Sequence, residues 1–370
     1  MTQVHSHILV ADVGGTNTGV AVFAYLGEER FEPVRHGTYP SRKVKNFPAL
    51  LKRFLDREAR GLVPKPRQAC IDFAGPLDRD RSKAYVTNLR KEYTRDEILK
   101  TTGVEELTFL NDFEAVGFGL EVLLENRPQA FVRLSATGRL PGRGGEKPTA
   151  VVLGAGTGLG TTILIHDPVR GRYRPVPGEG GHADFTAVEE IEFRVSQWIR
   201  NHRLRSSRNP VDCEKIVSGP GLANVYHALL DLEPDLGDPS TARRILRVDP
   251  HDQPAVIVEH AQRDELCRRT LDLWLRCYAR AAKNYAMFPL APGGVFLAGG
   301  ISGKILPEMQ SGVFMREFTR CDIPPIRSLL KRTPIFVVTD YLIGLYGCAN
   351  VAVNFSEELG KRSQGKSVRK

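Results

Sequence analysis

Ala150-Val151-Val152-Leu153-Gly154-Ala155-Gly156-Thr157-Gly158-Leu159-Gly160-Thr161-Thr162-Ile163-Leu164-Ile165 is the stretch on which the fold turns. An apolar run enters a turn carrying four glycines, and a second apolar run leaves it. That pattern predicts strand, glycine turn, strand. No Gly-Lys-Ser/Thr follows, so it is not a Walker loop. Leu159 takes the last position of a GxGxxG pattern and a strand follows instead of a helix, so dinucleotide-fold logic does not apply either. The same device stands near the N-terminus: His7–Val13 is apolar, Gly14-Gly15 interrupts it, and Val20-Ala21-Val22-Phe23 resumes. The two copies lie about 140 residues apart, which predicts an internal duplication with one glycine turn in each half.

Working outward, Lys45–Arg60 sets Phe47, Leu50, Leu51, Phe54, Leu55 and Ala59 at helical spacing. Ala69–Phe73 and Leu107–Leu110 read as strands, with a helical pattern over Thr94–Thr101 between them. The first 110 or so residues therefore alternate strands and helices, an α/β arrangement. Gly138–Pro148 is polar and rich in glycine and proline and reads as a surface loop. Ala187–His202 and Leu266–Tyr285 carry one-sided stripes including Trp198, Trp274 and Tyr278, expected to be core and not ligand contacts. Gly294–Ala298 and Ile335–Thr339 read as short strands, and Gly344–Phe355 as a closing helix.

The 370 residues carry 52 Lys and Arg against 43 Asp and Glu, for a net charge of +9. Hydrophobic residues make up 41% and charged residues 26%, which excludes a disordered chain, a collagen and a disulfide miniprotein. At roughly 150 residues per domain, two domains are expected. The six cysteines (Cys70, Cys213, Cys267, Cys277, Cys321 and Cys348) form no CxxC pair and read as scattered buried thiols of a reducing compartment. Met1–His7 does not read as a signal peptide, and no apolar run is long enough to be expected to span a membrane. Arg194, Arg200, Arg203, Arg205 and Arg208 cluster, and the tail holds Lys361, Arg362, Lys366, Arg369 and Lys370. The expected reading is a solvated helix face and a frayed tail, not a nucleic-acid site.

Several short stretches carry chemistry. In Asp12-Val13-Gly14-Gly15-Thr16-Asn17 the glycines let backbone N–H groups face an anion, Thr16 and Asn17 add donors, and Asp12 is placed to hold a hydrated Mg²⁺. Gly154, Gly156, Thr157 and Gly158 offer a second such turn, so that two turns close on a polyphosphate. Asn111-Asp112 ends a strand, and Asp112 reads either as a helix N-cap or as a base for a hydroxyl nucleophile. Pro177–His182 presents Glu179 and His182 among glycines, and Glu214 precedes Ser218-Gly219-Pro220-Gly221, a helix start. Gly299-Gly300 ends a strand and would lie under a planar base.

Together and in this order, these stretches resemble the bacterial glucokinases of the hexokinase–actin superfamily, the group without a zinc-binding cysteine motif. The resemblance implies a two-domain actin-like ATPase (ribonuclease H-like) α/β fold with a central cleft. Its small domain would be residues 1–111 plus 342–370 and its large domain residues 112–341. It implies ATP-dependent phosphorylation of D-glucose at the 6-hydroxyl, ATP and Mg²⁺ as cofactors, a homodimer and a cytoplasmic location. Carried over residue by residue, Asp112 is the catalytic base. Asn111, Glu179, His182 and Glu214 hold sugar hydroxyls, with Asp112 among them. Asp12 to Asn17 form the first phosphate loop, Gly154 to Gly160 the second, and Gly299 and Gly300 the adenosine loop. The chain departs from the family at Lys91, where a tryptophan usually follows Thr87-Asn88 on the sugar side. A kinase of another hexose or amino sugar, or a non-catalytic sugar sensor, are the alternatives on the same scaffold.

Overall fold

A computed structural model describes residues 3–87, 89–141, 147–204, 206 and 208–355. In the first half, β1 (Ser6–Val13), β2 (Asn17–Tyr25) and β3 (Phe31–Pro40) form an antiparallel meander. Helix α1 (Phe47–Arg57) crosses to β4 (Gln68–Phe73), which pairs parallel with β1. A hairpin, β5 (Lys83–Val86) and β6 (Lys91–Thr94), precedes α2 (Arg95–Thr102). Strand β7 (Glu106–Asn111) then pairs parallel with β4 and runs straight into α3 (Asp112–Asn126), followed by β8 (Phe131–Arg133).

The second half repeats the plan. Strands β9 (Ala150–Ala155), β10 (Leu159–Asp167) and β11 (Arg172–Gly178) form a second meander. Five helices follow: α4 (Glu190–Arg203), α5 (Gly219–Leu232), α6 (Pro239–Arg247), α7 (Gln253–His260) and the long α8 (Glu265–Met287). Strand β12 (Gly294–Ala298) pairs parallel with β9. After α9 (Gly300–Lys304), α10 (Leu306–Gln310), α11 (Val313–Phe318) and α12 (Pro324–Arg332), β13 (Ile335–Val338) pairs parallel with β12, and α13 (Ile343–Asn354) closes the described chain.

The two sheets have the orders β3-β2-β1-β4-β7 and β11-β10-β9-β12-β13-β8. Their first five strands match in order and in direction, with β8 added at one edge. This is the duplication that the two glycine turns predict. Each turn joins the first two strands of its half.

Three cores hold the layers. One packs α1 and α2 on the outer face of the first sheet around Phe47, Phe54, Phe73 and Phe109. Another packs α4, α5 and α8 on the second sheet, and there Trp274 and Tyr278 are buried as expected. The third lies between the sheets and is filled by α3 and α13. These two helices cross with backbone nearly in contact. A Cβ on Gly119 would lie 1.8 Å from Ile343 O, and one on Gly347 would lie 1.8 Å from Ala115 O, so neither position has room for a side chain.

Several expectations need correction. The helix over Lys45–Arg60 is shorter, because Asn46 caps it by accepting from Ala49 N and the chain turns out after Arg57. The stretch Gly138–Pro148 is not wholly surface. Residues 142–146 lie outside the described set, but Lys147 is buried and ion-paired with Glu121 and Glu125 of α3. Cys213 and Cys321 are only half-buried, and Cys70 and Cys348 are neighbours instead of isolated thiols. In the arginine cluster, Arg203 stacks over Trp198 and bonds Asn224, so it is partly a packing residue. Arg205 and the basic tail from Lys361 to Lys370 lie outside the described residues.

Candidate active site

The first glycine turn is closed by Gly14 N donating to Asn17 O at 3.0 Å. Ser41, beyond β3, braces it from behind. Its hydroxyl donates to Gly14 O at 2.7 Å and its N–H to Thr16 O at 2.8 Å. The second turn is closed by Gly156 N on Gly158 O at 2.8 Å, and Gly219 N at the start of α5 donates to Gly156 O at 2.8 Å. The two turns face each other so closely that Thr16 Oγ1 and Thr157 Oγ1 are 3.0 Å apart. Backbone N–H groups of two opposed turns form an anion-binding pair.

Beneath the first turn, Asp12 on β1 sits beside Asp72, its parallel partner on β4. Asp72 is buried, accepts from the Cys348 thiol at 3.3 Å through Oδ2, and leaves Oδ1 without a partner. Burial raises both carboxyls above the ordinary range, and for Asp72 the charge of Asp12 adds to it. A close carboxylate pair with an unpartnered oxygen fits a divalent cation. Among the described residues no group of three or more His, Cys, Asp or Glu forms a metal cage. That donor set suits Mg²⁺, which takes one or two carboxylates and completes its shell with water and phosphate.

Asn111 and Asp112 stand at the junction of β7 and α3. Asn111, not Asp112, is the N-cap: its Oδ1 accepts from Phe113 N at 3.0 Å and Glu114 N at 3.3 Å. Its amide nitrogen is thereby left for a ligand. Asp112 is the first helical residue and accepts from Phe113 N at 2.9 Å. Burial, then the nearby charge of Asp12, pushes its carboxyl up to about 7, and Glu179 adds to the shift.

The segment after β11 is tied down by Thr161, whose hydroxyl donates to Gly178 O and accepts from Gly180 N. Tyr285 of α8 donates its hydroxyl to Gly180 O. Glu179 and His182 project from this segment, and Glu214 from the turn before α5. Glu214 Oε2 accepts from Leu159 N at 3.0 Å, which ties it to the second glycine turn.

These groups line one cleft of about 590 Å³. Asp12, Gly14, Gly15, Asn111, Asp112, Gly154, Gly156, Thr157, Gly158, Glu179, His182, Glu214, Gly299 and Gly300 all border it. Thr16 and Asn17 do not. Thr16 is turned to Thr157, and Asn17 is exposed and opens β2. Lys91 also points elsewhere, donating to Val44 O at 2.8 Å, while Thr87 lines the cleft and Asn88 lies outside the described residues. Sequence reasoning missed Asp72, Ser41 and Asp212. Asp72 had a signal, a lone acid inside an otherwise apolar strand. Ser41 and Asp212 had none, since their partners are remote or depend on the folded segment.

The family model described as Glucokinase matches residues 9–355. A glucokinase of Nostoc punctiforme is 30% identical over 92% of this chain and 97% of its own. The crystal structure of a glucokinase from Balamuthia mandrillaris in complex with glucose superposes with a TM-score of 0.77, at 23% identity, covering 94% of this chain and 93% of that one. A ROK-family glucokinase from Streptomyces griseus in complex with glucose and AMPPNP gives 0.63 at 17% identity, covering 94% and 99%. Among the described residues no helix is long and apolar enough to cross a membrane.

Proposed function

The chain belongs to the glucokinase family and is a sugar-phosphorylating enzyme, and from that premise we propose that it transfers the γ-phosphoryl group of ATP to the 6-hydroxyl of D-glucose, with Asp112 as general base. The observation that carries this reading is the position of Asp112. It is the first residue of α3, in a cleft that the two glycine turns border together with Glu179, His182 and Glu214. A base raised to about 7 is matched to proton transfer near neutrality.

The steps follow from that arrangement. Asn111, through its free amide, and Glu179, His182 and Glu214 bind the sugar hydroxyls and present the 6-hydroxyl to Asp112. Asp112 accepts the hydroxyl proton as the oxygen–phosphorus bond forms and the bond to the leaving ADP oxygen breaks. N–H groups of Gly15 and Gly158 take up phosphate charge while those of Gly14 and Gly156 close the turns that present them, and Gly299 and Gly300 lie under the adenosine. Asp12 and its neighbour Asp72 would hold Mg²⁺, which when bound would supply charge neutralisation on the phosphates. Positioning and electrostatics carry the rate, since phosphoryl transfer asks little covalent chemistry of the protein.

The same reading includes a homodimer in the cytoplasm and two domains, residues 1–111 with 342–370 and residues 112–341, which move together on the sugar. Its test is steady-state phosphorylation with ATP and Mg²⁺ across glucose, mannose, fructose, galactose and glucosamine. Strong preference for glucose is the expected result. Preference for another sugar would keep the base and discard the substrate.

A further inference from the structure

His182 reaches the cleft from a short helical turn, and its ring is held by a residue outside the cleft lining. Asp212 Oδ2 lies 3.3 Å from His182 Nδ1. Asp212 is itself fixed. Its Oδ1 accepts from Lys215 N at 3.0 Å, capping the turn Cys213–Lys215, and its Oδ2 is 3.4 Å from Lys215 Nζ. The backbone on both sides is locked as well, with Cys213 N donating to Ala183 O and Phe185 N to Val211 O, each at 2.8 Å. The segments bearing His182 and Asp212 are thus clamped together before any ligand arrives.

A carboxylate only accepts, so the ring nitrogen facing it must carry the hydrogen. The other nitrogen then holds a lone pair. We infer that Asp212 is a positioning residue of the sugar site: it holds His182 as the Nδ1–H tautomer, leaving Nε2 as the acceptor for one sugar hydroxyl. This rests on the glucokinase reading of the cleft. Lys215 Nζ, 3.9 Å from Glu214 Oε1 as well as 3.4 Å from Asp212, joins the two sugar-facing side chains in one network. Through Leu159 N on Glu214, that network ends in the second glycine turn. Fixing the tautomer in advance removes a reorganisation that sugar binding would otherwise require.

The test uses the full chain and two variants that both keep a capping oxygen for Lys215 N, Asp212→Asn and Asp212→Ser. Long-range ¹H–¹⁵N spectra of the free enzyme report which nitrogen of His182 carries the hydrogen. The signal is assigned by its loss in His182→Gln. Wild type should show a protonated Nδ1. Asp212→Asn presents an amide N–H to the ring and should move the proton to Nε2, and Asp212→Ser should lose the Nδ1 preference. In both variants KM for glucose should rise about tenfold, the worth of one misdirected hydrogen bond, with KM for ATP unchanged. An unchanged tautomer in both variants, or an unchanged KM for glucose, overturns the inference. Failure of wild type to phosphorylate glucose would instead count against the glucokinase reading, and the tautomer of the free enzyme would still judge Asp212.

Discussion

The ring of Phe113 is packed against Gly160 with no space between them. A methyl group on Gly160 would lie 1.8 Å from Phe113 Cε2, and one on Gly154 would lie 2.4 Å from Phe113 Cζ. Phe113 follows Asp112, so the second glycine turn and the start of α3 are one packed unit. Gly160→Ala should therefore displace the first turn of α3 and lower kcat about tenfold or more, because small misplacements of catalytic groups cost that much. Phe113→Leu in the same chain should restore part of the loss. A double-mutant cycle on kcat measures the coupling, and strictly additive effects would show that the two positions are independent.

Asp112→Ala should lower kcat by roughly 10²–10⁴-fold, the usual contribution of a positioned base, while glucose still binds. Isothermal titration with glucose alongside the assay separates the two. A variant that loses binding in equal measure would show that Asp112 holds the sugar and no more.

The elevated Asp112 carboxyl sets a pH dependence. Its value is raised from 3.8 to about 7 by burial and by the charges of Asp12 and Glu179. The base form exists above that value, so kcat/KM for glucose should be level at alkaline pH and fall about tenfold per unit on the acid side of 7. A pH–rate profile of the free enzyme reads this directly, and activity level down to the ordinary carboxylate range would contradict it.

Stability has the opposite slope. Asp72 is held well above 3.8 by burial and by Asp12, so the folded state keeps a proton that the unfolded chain releases. The stability it contributes is complete below 3.8 and is lost as pH rises through the folded value. Asp72→Asn should remove that loss. In EDTA, its Tm should gain on wild type at pH 8 relative to pH 5, and equal shifts at both would refute the assignment.

Lys147 is buried against Glu121 and Glu125. Lys147→Met leaves the buried Glu121 and the partly buried Glu125 without their cation and should cost about 3–5 kcal/mol. Urea unfolding of the variant measures it. Adding Glu121→Gln and Glu125→Gln should recover most of the loss.

What the sequence made legible was local. Both glycine turns, the strands around them and the buried faces of α1, α4 and α8 follow from apolar spacing and from glycine, which need no knowledge of distant chain. The borders of the site were legible for the same reason, since Asp12, Asp112, Glu179 and Glu214 each stand at the end of an element. The rest depends on partners far away in sequence. Lys147 looks like a loop residue until α3 supplies its two acids. The pairing of Asp72 with Asp12 needs the register of β1 on β4, and Asp212 meets His182 only once two irregular segments align. Asn111 and Asp112 are both good caps, and nothing local decides between them.

The close crossing of α3 and α13 has a consequence for biosynthesis. Helix α13 begins about 330 residues after β1 ends, yet both sides of the core between the sheets need it. At roughly 5–20 residues per second, a ribosome takes about 15 seconds to a minute to travel that distance. Through that interval α3 and one face of each sheet lack their cover. The central layer of this enzyme is assembled only once α13 has emerged, and a nascent chain cut short before Ile343 should be a client for chaperones and proteases instead of a smaller enzyme.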